Sequence, residues 1–182
     1  MMNKITLTCI FSLLLINCKT TSSKEKITGL VAQKAMVVSA REEASKIGVA
    51  ILKKGGNAFD AMVATEMALV VTYPFAGNLG GGGFMVYRKA NGDVGGLDYR
   101  EKAPLAAHRD MYLDSLGNVI PGKSTVGATA VGVPGTVAGI IAVHKKFGSL
   151  PLEEIMAPVI ALAEKGVVVT ANQKKRLAKP YS

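Results

Sequence analysis

Arg100 is the residue whose type and position point most directly to binding chemistry. It follows a predicted strand at residues 94–99, where a sheet presents side chains at its rim. A guanidinium there can hold a carboxylate through two parallel hydrogen bonds, which fix the direction of the ligand. Asp98 and Glu101 offer the alternative of a local salt bridge, and the neighbouring residues alone favour that alternative.

Two glycine clusters, residues 80–83 and 132–135, have the composition of loops that bind phosphate. Backbone N–H groups in such loops can cradle an anion at the start of a helix. Neither cluster has a phosphate-binding lysine beside it, and a predicted strand follows the first one. We therefore predict tight, closely packed turns at both places.

The histidines and cysteines give no pattern that indicates a metal site. His108 and His144 are far apart in the sequence and have no flanking ligand pattern. Cys9 lies inside an apolar leader, so the mature domain would contain no cysteine pair for a disulfide or a thiolate site. No metal and no cofactor are predicted. Met62 and Met67 fall within helical apolar patterns and are predicted to be core residues.

The positive charge of the chain does not indicate a nucleic-acid partner. The formal net charge is +9 over 182 residues, but Lys and Arg are spread along the sequence. The one dense run, at residues 174–179, is interpreted as a solvated helix face. The composition is globular, with 49% hydrophobic residues, 5% aromatic residues and 20 glycines. Glycines allow backbones to approach closely, which suits layered packing of helices on a sheet.

Residues 1–18 are predicted to be a signal peptide. Lys4 supplies a positive start, and an apolar stretch at residues 5–16 is too short to span a bilayer. A polar tether at residues 19–34 follows. We expect export to the periplasm or the cell envelope.

The end of the leader resembles a bacterial lipoprotein processing box. Residues 15–18 read Leu-Ile-Asn-Cys, which would make Cys18 the acylated N-terminus of the mature protein. Asn17 stands where a small Gly or Ala is usual, so cleavage without lipid is the alternative. The polar tether favours the lipoprotein, and that anchor would be the protein's contact with the membrane.

Sequence periodicity and capping signals predict an α+β arrangement of five helices and one hairpin. The first helix, with Ser39 as its N-cap, would bury Ala40, Ala44, Ile47 and Ile51. The predicted helices cover residues 40–54, 58–71 with Asn57 as cap, 133–147, 151–165 closed by Gly166, and a last one capped by Thr170; the strands cover 84–89 and 94–99, and a further turn covers 114–118.

Five segments, taken in order and spacing, resemble the N-terminal part of the large subunit of γ-glutamyltransferases (glutathione hydrolases). The resemblance runs from about residue 36 to the end of the chain and defines a segment at residues 35–182. Its motifs are residues 55–61 (GGNAFDA), Pro74 with residues 76–85 (AGNLGGGGFM), 97–104 (LDYREKAP), 109–112 (RDMY) and 132–139 (GVPGTVAG).

The resemblance implies a fold, a reaction and a role for Arg100. The fold would be an incomplete αββα sandwich of the N-terminal-nucleophile hydrolases. Such enzymes cleave the γ-glutamyl amide of glutathione and pass the acyl group to water or to an amino acid or peptide. The attacking group is the N-terminal threonine of a small subunit released by self-cleavage. Arg100 would grip the α-carboxylate of the γ-glutamyl group, which reverses the preference for a local salt bridge.

The nucleophile of the family has no counterpart in this sequence. There is no Thr-Thr-His processing segment, and Thr125, Thr129, Thr136 and Thr170 match no processing site. No catalytic residue is therefore assigned. We expect a truncated precursor that is inactive without its C-terminal part, which includes the small subunit, and that leaves an apolar face uncovered. The alternative is a non-catalytic, lipid-anchored fragment that binds γ-glutamyl compounds or complements a separate chain.

Overall fold

The computed structural model describes residues 29–178, of which residues 34–178 form the unit considered below. The predicted leader, Cys18 and most of the tether lie outside the described residues. The α+β prediction is confirmed within them. The elements are α1 (Glu42–Lys53), α2 (Ala58–Thr72), β1 (Phe84–Arg88), β2 (Val94–Asp98), α3 (Thr136–Phe147), α4 (Leu152–Lys165) and α5 (Ala171–Leu177).

Helix α1 begins later than its sequence predicted. Its N-cap is Arg41, whose side chain makes no capping hydrogen bond. The predicted cap, Ser39, is wrong, because its hydroxyl donates to the Arg41 carbonyl oxygen at 2.7 Å and lies 2.8 Å from the Ser45 hydroxyl. Ala40 therefore precedes the helix and is exposed. Gly48 lies on the buried face, where α1 approaches the Thr65 side chain of α2.

Helix α2 is the central element of the unit and contacts α1, α3 and α4. The predicted cap at Asn57 is confirmed: its side chain accepts from the backbone N–H groups of Phe59 and Asp60. Because α2 is apolar on nearly all sides, it can be covered by several neighbours at once. Its buried residues are Asp60, Ala61, Val63, Ala64, Thr65, Ala68 and Thr72.

The Asp60 carboxylate ties the start of α2 to the turn between α3 and α4. It accepts hydrogen bonds from the Asn57 N–H (2.8 Å), the Ser149 N–H (3.0 Å) and the Ser149 hydroxyl (2.5 Å). Burial by itself would raise the pKa of Asp60, but these donors outweigh it and hold the pKa below its ordinary value. A fully buried carboxylate is thereby kept charged and satisfied.

Strands β1 and β2 form the predicted antiparallel hairpin, paired from Phe84 with Asp98 to Arg88 with Val94. The turn is closed by a hydrogen bond from the Lys89 N–H to the Asp93 carbonyl oxygen (2.8 Å). Gly92 has φ +93° in that turn, a conformation that glycine adopts without strain.

The two faces of the hairpin have different surroundings. Met85 and Leu97 pack on the core to which helices α1 to α4 all contribute. Phe84, Val86 and Val94 point the other way and are 63%, 88% and 72% exposed. Successive strand residues alternate between faces, so this outer face, which also carries Arg88 and Asp98, is largely apolar and is uncovered by the described residues. That arrangement agrees with the expectation of an incomplete sandwich.

Helices α4 and α5 complete the unit. Ile155 and Val159 of α4 are buried, and Gly166 ends the helix with φ +80°, as predicted. The predicted cap of α5, Thr170, is confirmed by a capping box with Gln173. Gln173 Nε2 also donates to the Thr72 carbonyl oxygen at 2.7 Å, which joins α5 to the end of α2. Within residues 29–178, every helix is too short or too polar to cross a bilayer.

Candidate ligand site beyond the second strand

The segment at residues 99–102, which continues β2, is held on both sides. On one side, the Tyr99 N–H donates to the Gly83 carbonyl oxygen at 3.0 Å, and the Gly83 N–H donates to the Tyr99 carbonyl oxygen at 3.4 Å. On the other, Lys102 and Val133 exchange two backbone hydrogen bonds of 3.1 and 2.7 Å. The backbone at Arg100 is therefore fixed between two neighbouring chain segments.

Arg100 presents its guanidinium to solvent at this strand end. The side chain is 61% exposed, and its shortest ion-pair distance is 3.5 Å, from Nε to Glu101 Oε2. Asp98 Oδ1 accepts from the Arg100 backbone N–H (3.0 Å). The guanidinium lies 5.7 Å from the centre of the Phe84 ring. Since an exposed pair of this geometry contributes little, the terminal nitrogens can be used to bind an anion.

An open cleft of about 610 Å³ lies beside Arg100. Its walls come from the end of β2 with the segment after it, from the turn before α3, and from one side of α3. The charged side chains Asp98, Glu101 and Lys102 lie around it together with Arg100. The lining comprises residues 97–102 and 133–135 with Ala138, Gly139 and Ala142. Groups of both signs at one rim suit a small ligand that itself carries both charges.

The two glycine clusters pack against the arginine segment. A Cβ on Gly82 would lie 2.7 Å from the Arg100 Cα, and one on Gly135 would overlap the Tyr99 carbonyl oxygen. The N–H groups of Gly135 and Thr136 donate to the Gly81 carbonyl oxygen at 2.9 and 3.1 Å. Because these N–H groups already have an acceptor, they are not an anion cradle. The prediction of tight, closely packed turns is confirmed at both clusters.

The sequence placed Tyr99 at the end of the strand before Arg100 but gave it no role, and it did not identify Glu66 as a residue of this region. The Tyr99 hydroxyl lies 3.0 and 3.2 Å from the two carboxylate oxygens of Glu66 on α2. Burial, then the charge and hydrogen bond of Glu66, raise the pKa of Tyr99 far above its ordinary value. Burial also raises the pKa of Glu66. A signal was present: Glu66 is the one ionisable residue between 61 and 72.

Three internal threonines and His144 are engaged in local structure. The hydroxyls of Thr125 and Thr129 donate to the carbonyl oxygens of Gly122 and Lys123. Thr136 is buried at the start of α3. His144 Nε2 lies 2.9 Å from the Leu150 carbonyl oxygen. Within residues 29–178, no group of three His, Cys, Asp or Glu side chains is placed to hold a metal ion.

Comparison with known families gives a match over most of the chain. A family model described as Gamma-glutamyltranspeptidase matches residues 44–182. These residues include the Arg100 segment and both glycine clusters.

Individual relatives agree with that match. The chain is 55% identical over 138 residues to a glutathione hydrolase proenzyme of Pseudomonas sp. (strain A14), covering 76% of this chain and 24% of the relative. For the Escherichia coli glutathione hydrolase proenzyme the identity is 49%, with the same coverage. The crystal structure of the Helicobacter pylori gamma-glutamyltranspeptidase superimposes with a TM-score of 0.78 at 47% identity, covering 82% of this chain and 43% of that one. The chain thus spans about a quarter of the length of the curated relatives named here.

Proposed function

The chain belongs to the gamma-glutamyltranspeptidase family, and on that premise we propose that Arg100 binds the α-carboxylate of a γ-glutamyl substrate. The fold class follows from the same membership: residues 34–178 are part of the sandwich of the N-terminal-nucleophile hydrolases. The carboxylate role depends on one observation, which is the position of the Arg100 guanidinium. It projects, largely exposed, from a fixed strand end beside an open cleft.

The chemistry of Arg100 in this proposal is orientation. A guanidinium donates two parallel hydrogen bonds to a carboxylate, which fixes the glutamyl moiety in direction as well as position. Orienting the scissile amide toward an attacking group can contribute several kcal/mol to catalysis, ~7 or more in favourable cases. Asp98 and Glu101 at the same rim would attract the α-amino group and keep non-zwitterionic ligands at a disadvantage.

For the whole protein we propose hydrolysis or transfer of γ-glutamyl groups, with glutathione as substrate. Support comes from the two relatives above, both called glutathione hydrolase proenzymes. The described threonines are engaged in turns, caps or packing, so we place the nucleophile outside residues 29–178. The partner in this proposal is the small subunit, and the uncovered outer face of the hairpin is a surface suited to further layers of the fold.

The enzymatic interpretation is preferred to the non-catalytic one. A stand-alone protein that only binds γ-glutamyl compounds would share the Arg100 site but has no counterpart among the relatives compared above. For location we keep the proposal of export, with lipid attached at Cys18. Incorporation of radiolabelled palmitate into the wild-type protein, but not into Cys18→Ser, would support the anchor.

The test of the Arg100 role is kinetic. Wild type, Arg100→Ala and Arg100→Lys are expressed as this chain and in any longer frame at the locus, and release of aniline dye from a γ-glutamyl anilide is measured. We expect Arg100→Ala to lower kcat/KM by roughly 10- to 100-fold, mainly through KM, because a charged hydrogen-bonding partner is lost. Arg100→Lys should retain only part of the wild-type kcat/KM, since a lysine cannot form the paired hydrogen bonds.

Arg109→Ala is the matched control. Its side chain is 96% exposed, and its nearest carboxylate oxygen, on Asp110, lies 3.9 Å away. Arg109→Ala therefore removes one positive charge, as Arg100→Ala does, but from a position outside the cleft. Wild-type kinetics for Arg100→Ala, or an equal loss in Arg109→Ala, would contradict the proposal.

A further inference from the structure

Glu66 is a carboxylate in an otherwise apolar stretch of α2. It lines a groove of about 640 Å³ whose other walls include Met62 and Leu69 of the same helix and residues 35–39. Its hydrogen-bond partner among the described residues is the Tyr99 hydroxyl, which lies near both carboxylate oxygens. Burial raises the pKa of Glu66, and the Tyr99 hydrogen bond only partly offsets this effect. Keeping such a group at this position has a cost, which calls for a functional reason.

The Tyr99 ring is held on several sides. It is 9% exposed, and a Cβ on Gly83 would lie 2.9 Å from its Cε2 atom. A Cβ on Gly139 of α3 would overlap the ring. The two backbone hydrogen bonds with Gly83 fix the same residue at its main chain. At the far end of the side chain, the hydroxyl is hydrogen-bonded to Glu66.

The residue after this fixed tyrosine is Arg100. Neighbouring residues in an extended chain point to opposite sides, so an inward Tyr99 places the Arg100 side chain outward at the cleft. From this geometry we infer that Glu66 is a positioning residue for Arg100, acting through the Tyr99 hydroxyl. The inference rests on the proposed carboxylate role of Arg100. Glu66 touches no substrate in this arrangement. It holds the backbone that carries the guanidinium.

The experiment measures the preference for a substrate with an α-carboxylate. It compares kcat/KM for γ-glutamyl anilide with kcat/KM for 4-aminobutyryl anilide, which lacks that carboxylate. The protein used is whichever expressed form, this chain or the longer frame, turns over γ-glutamyl anilide. The variants are Glu66→Ala, Glu66→Gln, Tyr99→Phe and Arg100→Ala. We expect Arg100→Ala to abolish the preference. Glu66→Ala and Tyr99→Phe should each lower it roughly three- to tenfold, the factor that one hydrogen bond supplies.

Two comparisons distinguish a positioning role of Glu66 from a purely stabilising one. Glu66→Gln keeps an acceptor for the Tyr99 hydroxyl and should retain the wild-type preference. Glu66→Ala combined with Tyr99→Phe should lower the preference no further than either change alone, because both remove the same bond. Val159→Ala is the control: it trims a buried side chain of α4 that packs with Ala44 and Ala68, in a different core cluster from Tyr99, and should leave the preference unchanged.

The outcomes distinguish the inference from the function on which it rests. If Arg100→Ala loses the preference while Glu66→Ala and Tyr99→Phe keep it, the positioning role is wrong and the carboxylate role stands. If Arg100→Ala keeps the preference, the carboxylate role is wrong and the inference is overturned with it. Tyr99→Phe retains the ring packing and so carries the test if Glu66→Ala does not fold.

Discussion

Gly82 packs directly against Arg100: a Cβ built on Gly82 would lie 2.7 Å from the Arg100 Cα and 2.7 Å from the Tyr99 carbonyl oxygen. Both neighbours are backbone atoms, which cannot move aside as the tip of a side chain can. The positive-φ glycines of the described chain do not include Gly82. Glycine is thus required here for space and not for backbone conformation, and the loop determines where the arginine segment lies.

Gly82→Ala should therefore disturb both stability and ligand binding. Forcing a methyl group against fixed backbone costs about 1–3 kcal/mol, and the displaced segment carries Arg100. We expect a lower free energy of unfolding in urea and a higher KM for γ-glutamyl anilide. Gly80→Ala is the control in the same loop, because its nearest neighbour would be Asn78 Oδ1 at 3.7 Å. Equal effects of the two substitutions would show that the close approach is not important.

Asp60→Asn should destabilise the protein in a pH-dependent way. The folded-state pKa of Asp60 lies below its ordinary value of 3.8, so its contribution is present above that pH and is lost as pH falls through the folded pKa. We expect the substitution to cost about 1–3 kcal/mol at pH 7, since charge-assisted bonds from Asn57 and Ser149 are weakened. The difference from wild type should shrink below about pH 4. Urea unfolding at several pH values measures it.

Asp110→Asn is the control for Asp60→Asn. Asp110 is exposed, and its pairing with Arg109 is long at 3.9 Å. Its substitution should change the free energy of unfolding by less than about 0.5 kcal/mol at any of these pH values. A cost of Asp60→Asn that did not vary with pH would indicate lost packing in place of a lost charge.

Glu66→Gln should have the opposite pH dependence. The folded-state pKa of Glu66 lies above its ordinary value of 4.5, so ionising it opposes folding. The free energy of unfolding of the wild type therefore falls as pH rises from about 4.5 through the folded pKa. Glu66→Gln removes that loss and should be more stable than wild type at pH 7 to 8, with the gain disappearing below about pH 4.5.

Thermal unfolding of the wild type and of Glu66→Gln across this pH range would show where the stability gain of the variant appears. Glu164→Gln, at an exposed position on α4, provides the comparison for a carboxyl outside the apolar groove. The stability gain of Glu66→Gln over the wild type is expected to be larger at pH 8 than at pH 4. An equal gain at both pH values would show that ionised Glu66 does not destabilise the folded protein.

Local chemistry in the sequence was sufficient to predict most of the elements. Asn57 and Thr170 cap helices because their side chains reach backbone N–H groups two or three residues away. Gly166 ends α4 and Gly92 closes the hairpin turn because both need a positive φ. Ser39 was the exception. Its side chain bonds to Arg41 and Ser45, while Arg41 also reaches Gln173, 132 residues away.

The sequence by itself determined the order of elements, the family and the position of Arg100 after a strand, because each follows from short motifs and from their order along the chain. Only the tertiary structure decided what surrounds that arginine. Glu66 meets Tyr99 across 33 residues, and Ser149 meets Asp60 across 89. Gly135 and Gly139 of the α3 region meet Tyr99 from α3's side of the cleft. Such contacts follow from how the helices and the hairpin pack in three dimensions, so they cannot be inferred from the spacing of residues along the chain.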